Sequence, residues 1–198
     1  MANRFLITLI VAGVFVCGHS SGYAQTSTWN IDPAHSSVSF EISHMAVSHV
    51  HGSLTNVSGV VDLNEKDITK SSVEATIDST TVSTGVVIRD NTLKSDNFFN
   101  VQEYPRITFK SSSLRRKNRI VQLLGDLTLD GVTRAVTLDL DGPSPAQTIS
   151  GKTVSGFSAT GLIHRSDFGF GASKFNAVVG DDVKLTIDVE IDNSRCKG

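Results

Sequence analysis

The sequence predicts an all-β domain, an antiparallel sheet closed into a barrel or folded into a sandwich, and three observations carry that reading. Apolar and polar residues alternate with a period of two in one segment after another, the mark of strands with one wet face. Short turns rich in Gly, Asn and Asp join most of these segments. The alternation of strands with long helices that a Rossmann-type sheet requires does not occur in the pattern.

Taken in chain order, residues 1–24 come first and differ from the rest. MANRFLITLIVAGVFVCGHSSGYA carries one early positive charge at Arg4, an apolar run from Phe5 to Val16 and a small-residue exit at Gly22-Tyr23-Ala24. That layout predicts a secretory signal peptide cleaved near Ala24, with an apolar stretch too short to span a bilayer. The expected working protein is one domain over residues 25–198, located in the periplasm or secreted. Cys17 follows Val14-Phe15-Val16, which is not the small-residue lead that lipid attachment requires.

Within the domain the expected strands begin around Thr28 to Asp32. The next places Val38, Phe40 and Ile42 on one face and Ser37, Ser39, Glu41 and Ser43 on the other. Further strands are expected around Gly52 to Leu63, Ser72 to Val82 and Arg106 to Ser112, the last with Ile107 and Phe109 on its apolar side. Val121, Leu123, Leu127 and Leu129 lead through Asp130-Gly131, a strong hairpin signal, into Val136, Leu138 and Leu140. A strand over Val154 to His164 offers Phe157 and Ile163. The last alternates Val183, Leu185, Ile187, Val189 and Ile191 with Lys184, Thr186, Asp188 and Glu190. Thr84 to Asn100 breaks the alternation and reads as a short helix with a loop, suited to lie across a barrel mouth. Gly142 to Gly151, with two prolines, reads as an exposed loop.

Composition narrows the function classes. Removing Arg4 with the leader from 18 Lys+Arg against 20 Asp+Glu takes the formal charge from −2 to −3, too close to neutral for a field that gathers nucleic acid. Cys17 leaves with the leader and Cys196 stays alone, so no internal disulfide is expected; pairing of Cys196 between two chains would give a homodimer. An outer-membrane barrel would turn its apolar faces to lipid between two aromatic girdles. Two Tyr and one Trp are too few to build them.

Several ordered blocks resemble the YceI-like family over about Trp29 to Ile191. They are TWNIDPAHSSVSFEISHM, the Arg89-Asp90-x-x-Leu93 segment leading to DNFFNVQEYPRITFKSSS, GDLTLDGVTRAVTLDL and HRSDFGFG. The order and spacing of the blocks carry the resemblance rather than any one of them. His164 stands where the family often has Asn. The resemblance implies a lipocalin-like antiparallel β-barrel of about eight strands, with the helical insertion at its mouth, and a non-catalytic protein that binds a polyisoprenoid or similar amphiphile in an apolar cavity.

The residues permit such a container, since an eight-stranded barrel can be filled by its own side chains or hold one slim ligand. The lining would come from Val38, Phe40, Ile42, Ile107, Phe109, Leu127, Leu129, Val136, Leu138, Phe157, Ile163, Leu185 and Ile187, with Phe98, Phe99, Phe168 and Phe170 at the entrance. A polar head wants a donor or cation at the mouth, for which His44, Arg89 and Arg165 are the candidates; Asp90 and Asp167 are expected to orient them or cap turns. His49 and His51, with His44 and His35 upstream, fall short of the three or four ligands of a zinc site and read as solvated loop histidines. Neither a metal nor any cofactor besides the lipid is expected. The G-x-S-x-G string at Gly18–Gly22 lies in the leader, and Asp167-Phe168-Gly169 lacks the other parts of a kinase. Two alternatives stay open: an enzyme of isoprenoid or quinone metabolism using His44 or His164 as acid or base, and a module that docks on an envelope protein through Phe98 and Phe99.

Overall fold

The computed structural model describes residues 26–171 and 175–193; the expected leader and Cys196 lie outside the described residues. The strands are β1 (Thr26–Ile31), β2 (Ser37–His44), β3 (Ser48–Leu54), β4 (Val57–Asn64), β5 (Ser72–Asp78), β6 (Arg106–Lys117), β7 (Ile120–Leu129), β8 (Val132–Asp141), β9 (Gln147–Ile149), β10 (Lys152–His164) and β11 (Val179–Asp192). Among the described residues one α-helix, α1 (Val87–Lys94), falls inside the segment where the alternation breaks. Eight strands close a ring in the order β11-β1-β4-β5-β6-β7-β8-β10, and β10 pairs back onto β11 from Val154↔Asp192 to His164↔Asp182. Every pairing is antiparallel, as short hairpin connections require. The β2–β3 hairpin extends the wall beside β11, and β9 adds a short edge to β10.

The two ends of the barrel differ. β11 spans 14 residues, about 40 Å of extended chain. At its Val179 end it meets the β2–β3 tip, where the Met45 N–H donates to the Val178 carbonyl at 2.8 Å; this end is the mouth. At its Asp192 end it meets β1 through Ile31↔Ile191 and β10 through Val154; this end is the base. There Trp29 and Ile191 are buried, Ile191 completely. Lys152 Nζ lies 2.8 Å from Asp192 Oδ2 and 3.1 Å from Asp32 Oδ2, fastening β10 to β11 and to the end of β1. The carboxylate of Asp192 raises the Lys152 ammonium above its ordinary pKa. Asp32 is held below its ordinary value, chiefly by the Ala34 N–H and then by Lys152, against the opposing cost of burial.

Period-two alternation sets what faces where. Along β6, Ile107 and Phe109 are buried and their neighbours exposed. The outer surface carries ion pairs such as Lys110–Glu74 at 2.6 Å and Lys184–Glu41 at 2.8 Å. That is the reverse of a lipid-facing outer band.

Several boundaries differ from the sequence reading. Gly52 to Leu63 is two strands, broken at Thr55-Asn56, where Asn56 adopts φ +57°; the Thr55 N–H is taken by Thr81 Oγ1 instead of a ladder partner. His49 and His51 are therefore strand residues of β3, exposed, not loop residues. β5 stops at Asp78, whose carboxylate accepts from the Thr80 N–H and starts a 3-10 turn. β6 runs to Lys117, five residues past its expected end. The expected loop after Gly142 includes β9, paired with β10 through Ile149↔Lys152.

Candidate functional site

The inward faces of the strands do not meet across the axis: they enclose a cavity of about 700 Å³. Sixteen of the seventeen apolar residues expected to line or enter it do so: Val38, Phe40 and Ile42 on β2, Ile107 and Phe109 on β6, Leu127 and Leu129 on β7, Val136 and Leu138 on β8, Phe157 and Ile163 on β10, Leu185 and Ile187 on β11, and Phe98, Phe99 and Phe170 near the mouth. Phe168 does not. The 3-10 turn Arg165–Phe168 carries it into the packed core at 2% exposure, so it is no entrance residue. β4 and β5 contribute Val61, Leu63, Val73 and Ala75, which sequence reasoning passed over because it marked no apolar face on those two strands.

Glycines explain part of the hollow. Gly52 sits opposite Phe40 in the β2–β3 ladder, and the Phe40 ring lies where a Gly52 side chain would be. The Phe109 ring likewise covers Gly125, whose added Cβ would stand 2.5 Å from Phe109 Cζ. Each ring occupies wall space that a side chain at the glycine would otherwise fill. Strand glycines elsewhere admit a close approach of this kind.

The titratable side chains among the described cavity residues are His44, Arg89 and Arg165, the three nominated for a polar head. Their situations differ. Arg165, 5% exposed, donates through Nε to the Gly180 carbonyl, through Nη1 to the Phe170 carbonyl, and through Nη2 to Asn176 Oδ1 and the Val179 carbonyl, at 2.8–3.1 Å. Four of its five N–H groups are thus committed to fastening the 3-10 turn to Phe170, Asn176 and the start of β11. Arg89 on α1 donates to Thr84 Oγ1 at 2.7 Å and to the Thr84 carbonyl at 3.2 Å, which leaves three N–H groups. Asp90 accepts from the Thr84 N–H at 2.8 Å and from its hydroxyl, and that hydroxyl holds its carboxyl below the ordinary value. Of the two roles expected of Asp90, orienting an Arg or capping a turn, the hydrogen bonds are those of the second: it folds residues 83–85 back on the first turn of α1. His44 closes β2 at the mouth, opposite Val179.

The phenylalanines form one aromatic group, with Phe98 against Phe175 at 4.8 Å and Phe99 against Phe170 at 4.6 Å between ring centres. Phe98 and Phe99 are 6% and 8% exposed, so they do not offer the outward patch that docking through them requires. His164, the other expected acid or base, is exposed and pairs with Asp182 at 2.8 Å, while its neighbour Ile163 faces the lumen. Of the histidines at the mouth, His44 lines the cavity; His49 and His51 flank the lining residue Val50 and so face outward. A different grouping of His35 lies at the base, where its Nδ1 is 3.2 Å from Asp32 and 3.6 Å from Glu190, a partner far along the chain that spacing does not mark. Lys152 already supplies that cluster with a cation.

An eight-strand antiparallel barrel, closed on itself around an apolar cavity with a short helix at one end, defines the lipocalin-like class. Within that class the chain belongs to the YceI-like family, whose domain it matches over residues 29–191. It is 34% identical to protein YceI of Escherichia coli O157:H7 over 86% of this chain and 90% of that relative. Among solved structures, the YCEI protein of Campylobacter jejuni is 31% identical with a TM-score of 0.65, over 75% of this chain and 88% of that one. A polyisoprenoid binding domain from Saccharophagus degradans, implicated in plant cell wall breakdown, has a TM-score of 0.59 over 84% and 98% of the two chains; at 15% identity this likeness is one of fold.

Proposed function

We propose that this protein is a non-catalytic carrier or reservoir that holds the chain of a polyisoprenoid or a similar amphiphile, working in the periplasm or outside the cell after removal of the leader near Ala24. The observation that carries the reading is the cavity: about 700 Å³, walled almost wholly by hydrocarbon side chains, with basic groups and no acidic one among its described lining residues. That volume lies within the range of about 300–1,000 Å³ common for small-molecule sites. Burying on the order of 400 Å² of hydrocarbon at roughly 25 cal/mol per Å² supplies about 10 kcal/mol. Ordering and association remove several of those, and micromolar affinity survives. Arg89 and His44, at the mouth, are placed to meet an anionic or polar head, and Arg165 has one N–H left for it. The binding named for the Saccharophagus degradans domain agrees with this reading.

The test is ligand-dependent stability. A ligand that binds the native barrel alone raises Tm with concentration, so titration with polyprenols of increasing length should raise it, and organic extracts of the purified protein should contain an apolar chain. If extracts carry no lipid and no polyprenol moves Tm, the carrier reading is wrong.

A further inference from the structure

Of the nine large apolar residues exposed among the described ones, five stand on two short segments at the mouth: Met45 and Val47 on the β2–β3 tip, and Val86, Val87 and Ile88 at the start of α1. Val47 and Ile88 are 83% and 81% exposed. The other four are scattered over β4, β7, β9 and β10. The two segments flank one opening. His44 and Val50, on either side of the tip, line the cavity together with Val86 and Ile88, and the Ser53↔Ser83 bridge carries the chain from β3 toward α1.

An apolar path therefore runs without interruption from the outer rim into the lumen, because Val86 and Ile88 belong to both. An exposed apolar rim is costly in water unless something covers it, and its continuity with a hydrocarbon-lined cavity says what that is. A ligand that is all chain has its reservoir in a bilayer, and a carrier that meets the bilayer mouth-first spares the chain a passage through water. The charged and titratable side chains on the two segments are His44, His49, His51, Arg89, Lys94 and Asp90, a formal balance of one positive charge with the histidines neutral. The residual balance is basic, which complements anionic headgroups.

Resting on the carrier reading, we propose that the β2–β3 tip and the first turn of α1 form a membrane-docking rim that inserts into the surface of an anionic phospholipid bilayer, so that ligand enters and leaves the barrel at the bilayer. Insertion at this depth follows buried apolar area plus attraction to anionic lipid.

Val47 and Val87 are exposed and do not line the cavity, so they report on docking apart from ligand capacity. In a Trp29→Phe background, Val87→Trp should show a blue-shifted emission on adding vesicles of phosphatidylcholine and phosphatidylglycerol. The double variant Val47→Asp, Val87→Asp should bind those vesicles about tenfold more weakly or worse and deliver polyprenol to them correspondingly more slowly, while its Kd for farnesol in buffer stays that of the parent. Unchanged V87W emission at saturating vesicle concentration, or parental delivery by the double variant, overturns the proposal. So does a V87W shift that follows protein concentration without vesicles, since that makes a second copy the occupant. Parental protein that binds farnesol but no vesicles sinks this inference alone; failure to bind farnesol or polyprenol sinks the carrier reading, and the V87W emission still reads docking independently.

Discussion

The base and the mouth of this barrel are built by opposite rules. At the base, Ile191 and Trp29 are packed out of water and Lys152 ties Asp192 and Asp32 together, so three strands are fastened by both apolar burial and charge. At the mouth, Val47, Val87 and Ile88 stand in solvent and the backbone is fastened by single side chains, Arg165 to the Phe170, Val179 and Gly180 carbonyls and Asp90 to Thr84. On the proposed carrier reading, the difference assigns stability to one end and ligand exchange to the other. Regions that admit ligand are drawn from the less tightly held parts of a structure, and here one strand, β11, runs from one regime into the other.

If that division holds, substitutions in the lumen should change ligand binding, and substitutions at the base should change stability. Val136→Trp fills the lumen from its own wall. Overpacking costs about 1–3 kcal/mol where a core is full, but this one is hollow, so polyprenol affinity should fall about 100-fold, in line with about 2–3 kcal/mol of lost chain burial, with Tm changed little. Calorimetric titration beside a melting curve separates the two. A smaller version is Gly52→Val, which drives the Phe40 ring off its seat; about a tenfold loss of affinity is expected, with about 1–2 kcal/mol of destabilisation.

Lys152→Met should do the converse. It leaves the Asp192 carboxylate buried beside Asp32 without its cation, and because the ammonium is itself 39% exposed the cost is discounted from that of a fully buried pair to about 1–3 kcal/mol. Tm falls, and the affinity for polyprenol at 25 °C is unaltered. The same clamp responds to pH with a definite sign. Asp32 titrates below its ordinary 3.8 in the folded protein, so its contribution is whole above that value and is lost as pH falls through the folded pKa. Lys152 titrates above its ordinary 10.5, so its contribution is whole below that value and is lost as pH rises past the folded pKa. Denaturant midpoints should therefore decline at both extremes in the parent, and Lys152→Met should flatten the alkaline decline.

The smallest effect is expected at the β7–β8 turn. Burial, and then the charge of Glu103, raise Asp130 above its ordinary 3.8, and its Oδ1 is buried without a hydrogen-bond partner. The charge costs stability above the folded pKa, and that cost is gone below 3.8. Asp130→Asn removes it and keeps a residue suited to φ +50° before Gly131. Tm should rise by about 1–3 °C at neutral pH, with the gain vanishing in acid.

The features legible in the sequence were those whose chemistry is local. Asp130-Gly131 announces its hairpin because two adjacent positive-φ residues suffice to make it, and period-two alternation placed thirteen lumen residues correctly because the pleat enforces it. The break at Asn56 was hidden because one Asn inside a run of strand formers is a weak signal, and its stop is completed by Thr81, 26 residues away in sequence. Phe168 and Phe170 share a face only if the chain between them is extended; a 3-10 turn sends one into the core and the other to the cavity. The clasp made by Arg165 could not be read at all, since three of its four acceptors are backbone carbonyls, which leave no trace in composition. Nor could the hollow itself, which depends on the direction two phenyl rings take over Gly52 and Gly125.

The central claim is that this hollow houses a hydrocarbon chain. A crystal structure of the protein purified with a bound polyprenol tests it most directly: continuous elongated density should run between Leu127 and Leu185 toward Arg89 and His44. Density confined to the outer surface, with side chains collapsed across the axis, would contradict the account.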